Sequence, residues 1–265
     1  MFALNDKELQ TLPVGLAPFQ ILEGEAPNTV FSMKGKELLT SNLHEFLNMM
    51  GPAINSPHLK VTGSLFLKRY ALYMASLYVM SSEDCVLPID FGDFQMSIQG
   101  TQFLFHFPSL VIKPRVGNRN EWRMQVLHHI FRDHLTPLIQ NIVEQTKVFP
   151  QTLWSHVSFY IAYSYEKWIQ ETTDIVKKNR LLDDYQTLRE LKAELFGMNE
   201  NPLSQPIERF EHSALQGETI PIRSKCCFNF CLSSRKACYT CPKLSDEERI
   251  SLYIEDTYKY RRSDQ

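Results

Sequence analysis

Apolar residues recur at helical spacing along most of the chain. Over residues 36–50 they fall at Leu39, Leu43, Leu47 and Met50, and Gly51-Pro52 supplies a stop. Over 64–82, Phe66, Tyr70, Tyr73, Met74 and Leu77 share one face of a second predicted helix. A third spans 120–146, with Trp122, Val126, Ile130, His134, Leu138 and Ile142 at four-residue steps and Pro137 predicting a kink. Pro150 opens a fourth, 150–171, rich in aromatics: Trp154, Phe159, Tyr160, Tyr163, Tyr165 and Trp168. A more polar helix over 173–196 ends at Gly197. The texture changes between the second and third helices. Segments 86–89, 94–98, 102–107 and 110–112 are short and alternating, with Pro88, Gly92, Gly100 and Pro108 between them, which predicts an antiparallel meander.

The ends of the chain are less regular. Residues 1–35 carry Pro13, Pro18, Pro27, Gly15, Gly24 and Gly35 and predict loops after a short helix at 7–12. Residues 199–216 form a polar linker, and a strand over 219–223 follows. Ser245 and Glu248 make a capping box for a closing helix whose apolar face is Ile250, Tyr253, Ile254 and Tyr258. The fold class expected is α+β, predominantly α-helical, with a small antiparallel β-meander and a cysteine-rich C-terminal segment. Residues 1–200 form the helical and meander scaffold. Residues 201–265 hold the linker, the cysteines and the closing helix, and the two parts can pack as one compact unit.

Composition narrows the class. Hydrophobic residues make up 43% and charged residues 22%, enough for a sizeable core. A formal net charge of −2 argues against nucleic acid as a partner, because phosphate binding needs a basic surface. The N-terminus has no basic region followed by an apolar one, so no secretory signal is expected. The most apolar run, 70–80, is too short to span a bilayer, so no transmembrane helix is expected. The location expected is cytoplasmic, with peripheral attachment to the inner face of the cell membrane left open.

Five of the six cysteines crowd into residues 225–242, KCCFNFCLSSRKACYTCP: Cys226, Cys227, Cys231, Cys238 and Cys241. Cys85 stands apart. A reducing compartment disfavours a disulfide framework and points to metal ligation. Two residues between Cys238 and Cys241 let one turn aim both sulfurs at one metal region. The adjacent pair Cys226-Cys227 is harder to use, because neighbours in an extended strand point to opposite faces. A two-iron cluster offers a wider target than a single ion. A Cys₄ zinc site usually shows two CxxC pairs, and only one is present. Spacing alone leaves an iron–sulfur cluster and zinc level.

The segment, with Ile222-Arg223-Ser224 before it, resembles the C-terminal signature of FhuF-like ferric siderophore reductases. Ser64-Leu65-Phe66-Leu67-Lys68-Arg69-Tyr70 and Leu153-Trp154-Ser155-His156-Val157 resemble that family's weaker motifs, so the likeness extends over the whole chain. The resemblance implies a [2Fe-2S] cluster on Cys226, Cys227, Cys238 and Cys241, with Cys231 outside the ligand set. It implies an oxidoreductase that gives one electron to a ferric siderophore and so releases ferrous iron during iron assimilation. No GxGxxG or GxxxxGK[ST] motif is found. With no such nucleotide site, electrons are expected to arrive from a separate protein, a ferredoxin or a flavin reductase.

Arg223, Lys225, Arg235, Lys236 and Lys243 flank the ligands with no acidic residue between Arg223 and Lys243. They can offset an anionic cluster and attract a chelate or donor, while raising the potential. Lys113, Arg115 and Lys68-Arg69 are further candidates for meeting a chelate, with solvated or paired charge as the alternative. His128, His129 and His134 share a helix face too poorly to suggest a metal site. A non-enzymatic iron or iron–sulfur binding protein and a zinc-stabilised interaction module stand as alternatives.

Overall fold

The computed structural model describes residues 16–263, except 30, 101 and 233–236. The expected helix at 7–12 lies outside the described residues. The chain is α+β and mostly helical, with small antiparallel sheets and one parallel strand pair.

Residues 16–35 supply two strands that the loop-rich sequence conceals, β1 (Ile21–Glu23) and β2 (Ser32–Lys34). Strand β3 (Cys85–Val86) precedes the hairpin of β4 (Gln95–Gln99) and β5 (Gln102–Phe107), and β6 (Lys113–Pro114) follows. The four-stranded sheet has the order β1-β5-β4-β2, with β1 parallel to β5 and the other pairs antiparallel. Strands β3 and β6 pair separately. The meander is thus one true hairpin; the expected strand at 110–112 does not form, 86–89 is strand only at Val86, and a separate two-residue ladder pairs Cys85–Val86 with Lys113–Pro114.

The first helical stripe divides. A 3-10 turn, Gly35–Leu39, precedes α1 (Asn42–Ala53). The tighter turn changes the phase, so Leu38 is buried while Leu39 is exposed. Pro52 lies inside the last turn of α1, one residue later than a stop at Gly51-Pro52 implies. The 64–82 stripe also divides, into α2 (Leu59–Arg69) and α3 (Leu72–Glu83). Tyr70 between them is extended (φ −75°, ψ 97°) and fully buried. Its ring meets Phe66 and Phe105, and its hydroxyl lies 2.7 Å from His134 Nε2. Tertiary packing of this one side chain accounts for a break that no glycine or proline announces.

Helix α2 carries two residues of the site and crosses α5 (Thr136–Thr146) at close range. A Cβ on Gly63 would come within 2.7 Å of the Thr146 side chain, so the approach requires glycine. The third predicted helix is α4 (Arg119–His128) followed by a π-helical segment, His129–Leu135, and then α5. Pro137 falls in the first turn of α5, where its missing N–H is accommodated by the π segment just before it. The aromatic helix is α6 (Pro150–Glu171). Helix α7 (Ile175–Glu190) docks through Asp184, which is fully buried and accepts from Arg119 at 2.7 Å and Arg123 at 2.8 Å. The linker contains β7 (Glu208–Glu211), which pairs antiparallel with β8 (Thr219–Ile222). Helix α8 (Asp246–Ser263) closes the chain. Its capping box forms: Glu248 accepts from Ser245 N–H at 2.9 Å, and Ser245 Oγ accepts from Glu248 N–H at 3.3 Å.

Candidate metal centre

The cysteine segment leaves β8 at Arg223. This arginine is buried, and its N–H donates to the carbonyl of Thr240 at 3.0 Å. Its Nε donates to Thr240 Oγ1 and its Nη2 to the Tyr160 hydroxyl, both at 3.1 Å, while the guanidinium lies 4.0 Å from the Phe159 ring centroid. One side chain thus joins the entry of the segment, its exit and α6. Burial opposes the charge of Arg223, but Tyr160 and the thiols of Cys227 and Cys238 outweigh it and raise its pKa. On the exit side Arg249 of α8, also buried, donates to the carbonyls of Tyr239 at 2.8 Å and Cys241 at 3.0 Å.

The backbone turns sharply just after the adjacent cysteines. Phe228 is left-handed (φ 62°), a conformation rare for so large a side chain, and a short 3-10 turn, Asn229–Cys231, follows. The turn brings Phe228 N–H to Cys226 Sγ at 3.3 Å. At the other end Cys241 N–H donates to the Cys238 carbonyl at 2.8 Å, closing a tight turn. The four sulfurs come together as two pairs. Cys241 Sγ lies 3.8 Å from Cys226 Sγ. Cys227 and Cys238, the remaining two, shift each other's pKa in opposite directions. The adjacent cysteines therefore point to different partners, which resolves the difficulty of using both. Among the described residues, no group of three or more His, Cys, Asp or Glu side chains is placed to hold a metal ion.

Charge is distributed unequally over the pairs. Lys68 Nζ, at the end of α2, lies 3.5 Å from Cys227 Sγ. The Cys238 hydrogen bond lowers the pKa of Cys227 against the effect of burial, helped by Lys68, the Asn229 N–H and Arg223. The same hydrogen bond, with burial, raises that of Cys238. Thr240 Oγ1 lies 3.5 Å from Cys238 Sγ. Burial raises the pKa of Cys226, with the neighbouring Cys241 adding to it and the Phe228 N–H opposing. Behind Cys227, Ser64 Oγ donates to its carbonyl at 3.3 Å and lies 2.9 Å from His156 Nε2. Because Ser64 gives its proton to that carbonyl, His156 donates to Ser64 through Nε2. Burial keeps His156 neutral, its pKa pushed down to about 3, with Arg223 and Lys68 adding to the effect.

Ser64 and Lys68 from one of the weaker motifs reach Cys227, and His156 from the other reaches Ser64. Of the basic residues, Arg223 is an internal anchor rather than a surface charge. Lys225 is exposed, and Lys243 lies over the Phe230 ring at 5.4 Å. Arg235 and Lys236 lie outside the described residues. Cys231 packs against the core and Cys85 sits in β3. Arg115 pairs with Asp84 at 2.6 Å, Lys113 is exposed, and the three histidines do not converge. Thr240, Tyr160 and Arg249 were not singled out from sequence. Only the place of Thr240 within Cys-x2-Cys could have marked one of them. Beside Cys238, Tyr239 lines a groove of about 590 Å³ together with Tyr163, Arg209 and Tyr253.

The arrangement is a helical scaffold that gathers cysteine thiols beside the Lys68 ammonium and the buried Arg223 guanidinium. The family model described as "Ferric iron reductase FhuF-like transporter" matches residues 89–240, more than half of the chain. The chain belongs to the FhuF-like ferric iron reductase family. The match takes in Cys226, Cys227 and Cys238, stops one residue short of Cys241, and begins after the Ser64–Tyr70 motif. No curated protein matches the chain. Among the described residues, no helix is long and apolar enough to cross a membrane.

Proposed function

We propose that this protein reduces ferric siderophores by one-electron transfer, using a [2Fe-2S] cluster held by Cys226, Cys227, Cys238 and Cys241. The observation that carries the reading is the 3.8 Å approach of Cys226 and Cys241 next to Cys227, whose sulfur meets Lys68 and whose carbonyl meets Ser64. Family membership supplies the reaction class. When bound, the cluster supplies a one-electron carrier; ferric iron is a hard ion held tightly by siderophore oxygens, and ferrous iron is held far more weakly, so one electron frees the metal.

The chain's own residues do the rest. Arg223 and Lys68 offset the negative charge of four thiolates and two ferric ions. Ser64 and His156 fix the Cys227 backbone, and Arg249 fixes that of Cys241. Exposed Lys225 and Lys243 stand near the segment, where they favour an anionic chelate or donor. The groove lined by Tyr239, the neighbour of Cys238, is mixed in charge, with Lys167 and Arg209 alongside Glu166 and Asp256 and Arg209 paired to Glu166. Electrons come from a separate ferredoxin or flavin reductase. No proton transfer is required of any side chain, because outer-sphere electron transfer makes and breaks no bond to the chelate.

The test is aerobic purification, metal analysis, a visible spectrum and paramagnetic resonance of the reduced protein, then turnover of a ferric siderophore with a chemical reductant. The expected result is two irons per chain, a coloured protein, a one-electron signal and ferrous release. A colourless, redox-silent protein with one zinc overturns the reading. A cluster that never passes its electron to a ferric siderophore overturns the reductase assignment and leaves an iron–sulfur binding protein.

A further inference from the structure

The two thiol pairs have unlike surroundings. Cys227 faces the Lys68 ammonium at 3.5 Å. Its partner Cys238 faces the Thr240 hydroxyl at 3.5 Å. Buried Arg223 acts on both of these thiols. The other pair is poorer. Cys226 accepts the Phe228 N–H at 3.3 Å, and Cys241 faces Cys226. The hydrogen bonds and the positive charge thus fall mainly on one pair. That bias is built by three distant segments: the end of α2, the end of β8 and the turn between Cys238 and Cys241.

Resting on the cluster reading above, we infer that Cys226 and Cys241 share one iron, Cys227 and Cys238 share the other, and Lys68 directs the added electron to the Cys227–Cys238 iron. Each iron of a four-thiolate [2Fe-2S] centre takes two cysteines. The 3.8 Å contact between the Cys226 and Cys241 sulfurs groups those two and leaves Cys227 with Cys238. The donor protein is oxidised by one electron and one iron goes from ferric to ferrous. The same electron later passes to the ferric chelate, and no bond is broken. Added negative charge settles where cations and donors to sulfur are densest, because both favour the more reduced state. Lys68 is therefore a tuning residue, acting on the potential through Cys227 rather than touching substrate.

The experiment uses full-length protein with its cluster, wild type and the variants Lys68→Met and Lys68→Arg. In a redox buffer poised at the wild-type midpoint, the reduced-to-oxidised ratio is read by visible absorbance. Loss of the cation in Lys68→Met should lower that ratio at least tenfold, equivalent to 59 mV for one electron. Lys68→Arg should restore it to within about twofold, since the charge is kept. A ratio unchanged in Lys68→Met overturns the inference. An independent readout needs no variant. In the reduced wild type, cysteine β-proton signals are assigned through their contacts with neighbouring residues, and their shifts are followed with temperature. Protons on ferric-bound cysteines lose shift on warming, whereas those on ferrous-bound cysteines of a coupled pair gain it. Cys227 and Cys238 should gain, and Cys226 and Cys241 should lose. The reverse grouping overturns the direction of the electron, and any other division overturns the pairing. Purified protein without iron would instead defeat the cluster reading itself, a failure separate from these.

Discussion

Arg223→Lys separates charge from shape at the anchor of the cysteine segment. Lysine keeps the positive charge near Cys227 and Cys238 but loses the planar fork that reaches Thr240 and Tyr160 together, each at 3.1 Å. Hydrogen bonds from a charged donor contribute about 1.5–3 kcal/mol each, and a single ammonium can keep one of the two. The guanidinium also stacks 4.0 Å from the Phe159 ring centroid, and a desolvated contact of this kind contributes up to about 2 kcal/mol. Losing one hydrogen bond and part of the stacking comes to about 3 kcal/mol. At about 2–4 °C per kcal/mol for a chain of this size, the melting temperature should fall by about 6–12 °C. Circular dichroism melts read the change, and iron content per chain should fall with it, because Thr240 loses the partner that holds it beside Cys238. Should Arg223→Lys melt within about 2 °C of wild type, the charge alone would be sufficient and the geometric argument would be wrong.

Other outcomes follow from the same contacts. Cys226→Ser should abolish or distort the visible and paramagnetic signals while Cys231→Ser largely spares them; the opposite pattern would replace the ligand set proposed above. Asp184→Asn should lower the urea unfolding free energy by about 3–5 kcal/mol, since it strips a fully buried carboxylate from Arg119 and Arg123. A loss under about 1 kcal/mol would show that the arginines find other partners. Burial pushes the His134 pKa down to about 3, against 6.5 for an ordinary histidine. Below pH 6.5 the unfolded chain takes up a proton that folded His134 refuses, so its contribution is complete above pH 6.5 and is lost as pH falls toward 3. Between pH 5 and 6, unfolding of His134→Phe should show a slope shallower than wild type by about 1.4 kcal/mol per pH unit; equal slopes would mean that His134 is protonated in the fold.

Local pattern carried the helices. The stripes at Leu43, Leu47 and Met50, the aromatic run after Pro150 and the Ser245–Glu248 box each depend on neighbours within one or two turns. Features set by distant residues were not visible in this way. Nothing around Tyr70 announces a helix break, because its cause is His134 and the sheet. Strand β1 pairs with β5 across some eighty residues of chain, a pairing with no local signature. The π segment before Pro137 is likewise settled by how both halves of that helix meet the core. At the candidate site, the four cysteines stood out because their spacing is itself a local pattern. Their division into pairs did not, since it depends on how the turn at Phe228 closes against the one at Cys238. The approach of Lys68 to Cys227 spans 159 residues. Resemblance marked the segments concerned without saying that they touch.

The unlike partners of Cys226 and Cys227 set rules for how this motif can vary in length. Since the two adjacent residues reach toward separate sulfurs, their zero spacing works as a ruler, and inserting a single residue between them would rotate one side chain away. The two-residue gap between Cys238 and Cys241 is equally fixed, by the turn that the Cys241 N–H closes. Past Phe228–Cys231, which turn the chain and place the Phe228 N–H on Cys226, the rest of the ten-residue span has only to return the chain. It should therefore tolerate changes of length and sequence that neither end can. In related chains, insertions and deletions within this motif should collect there.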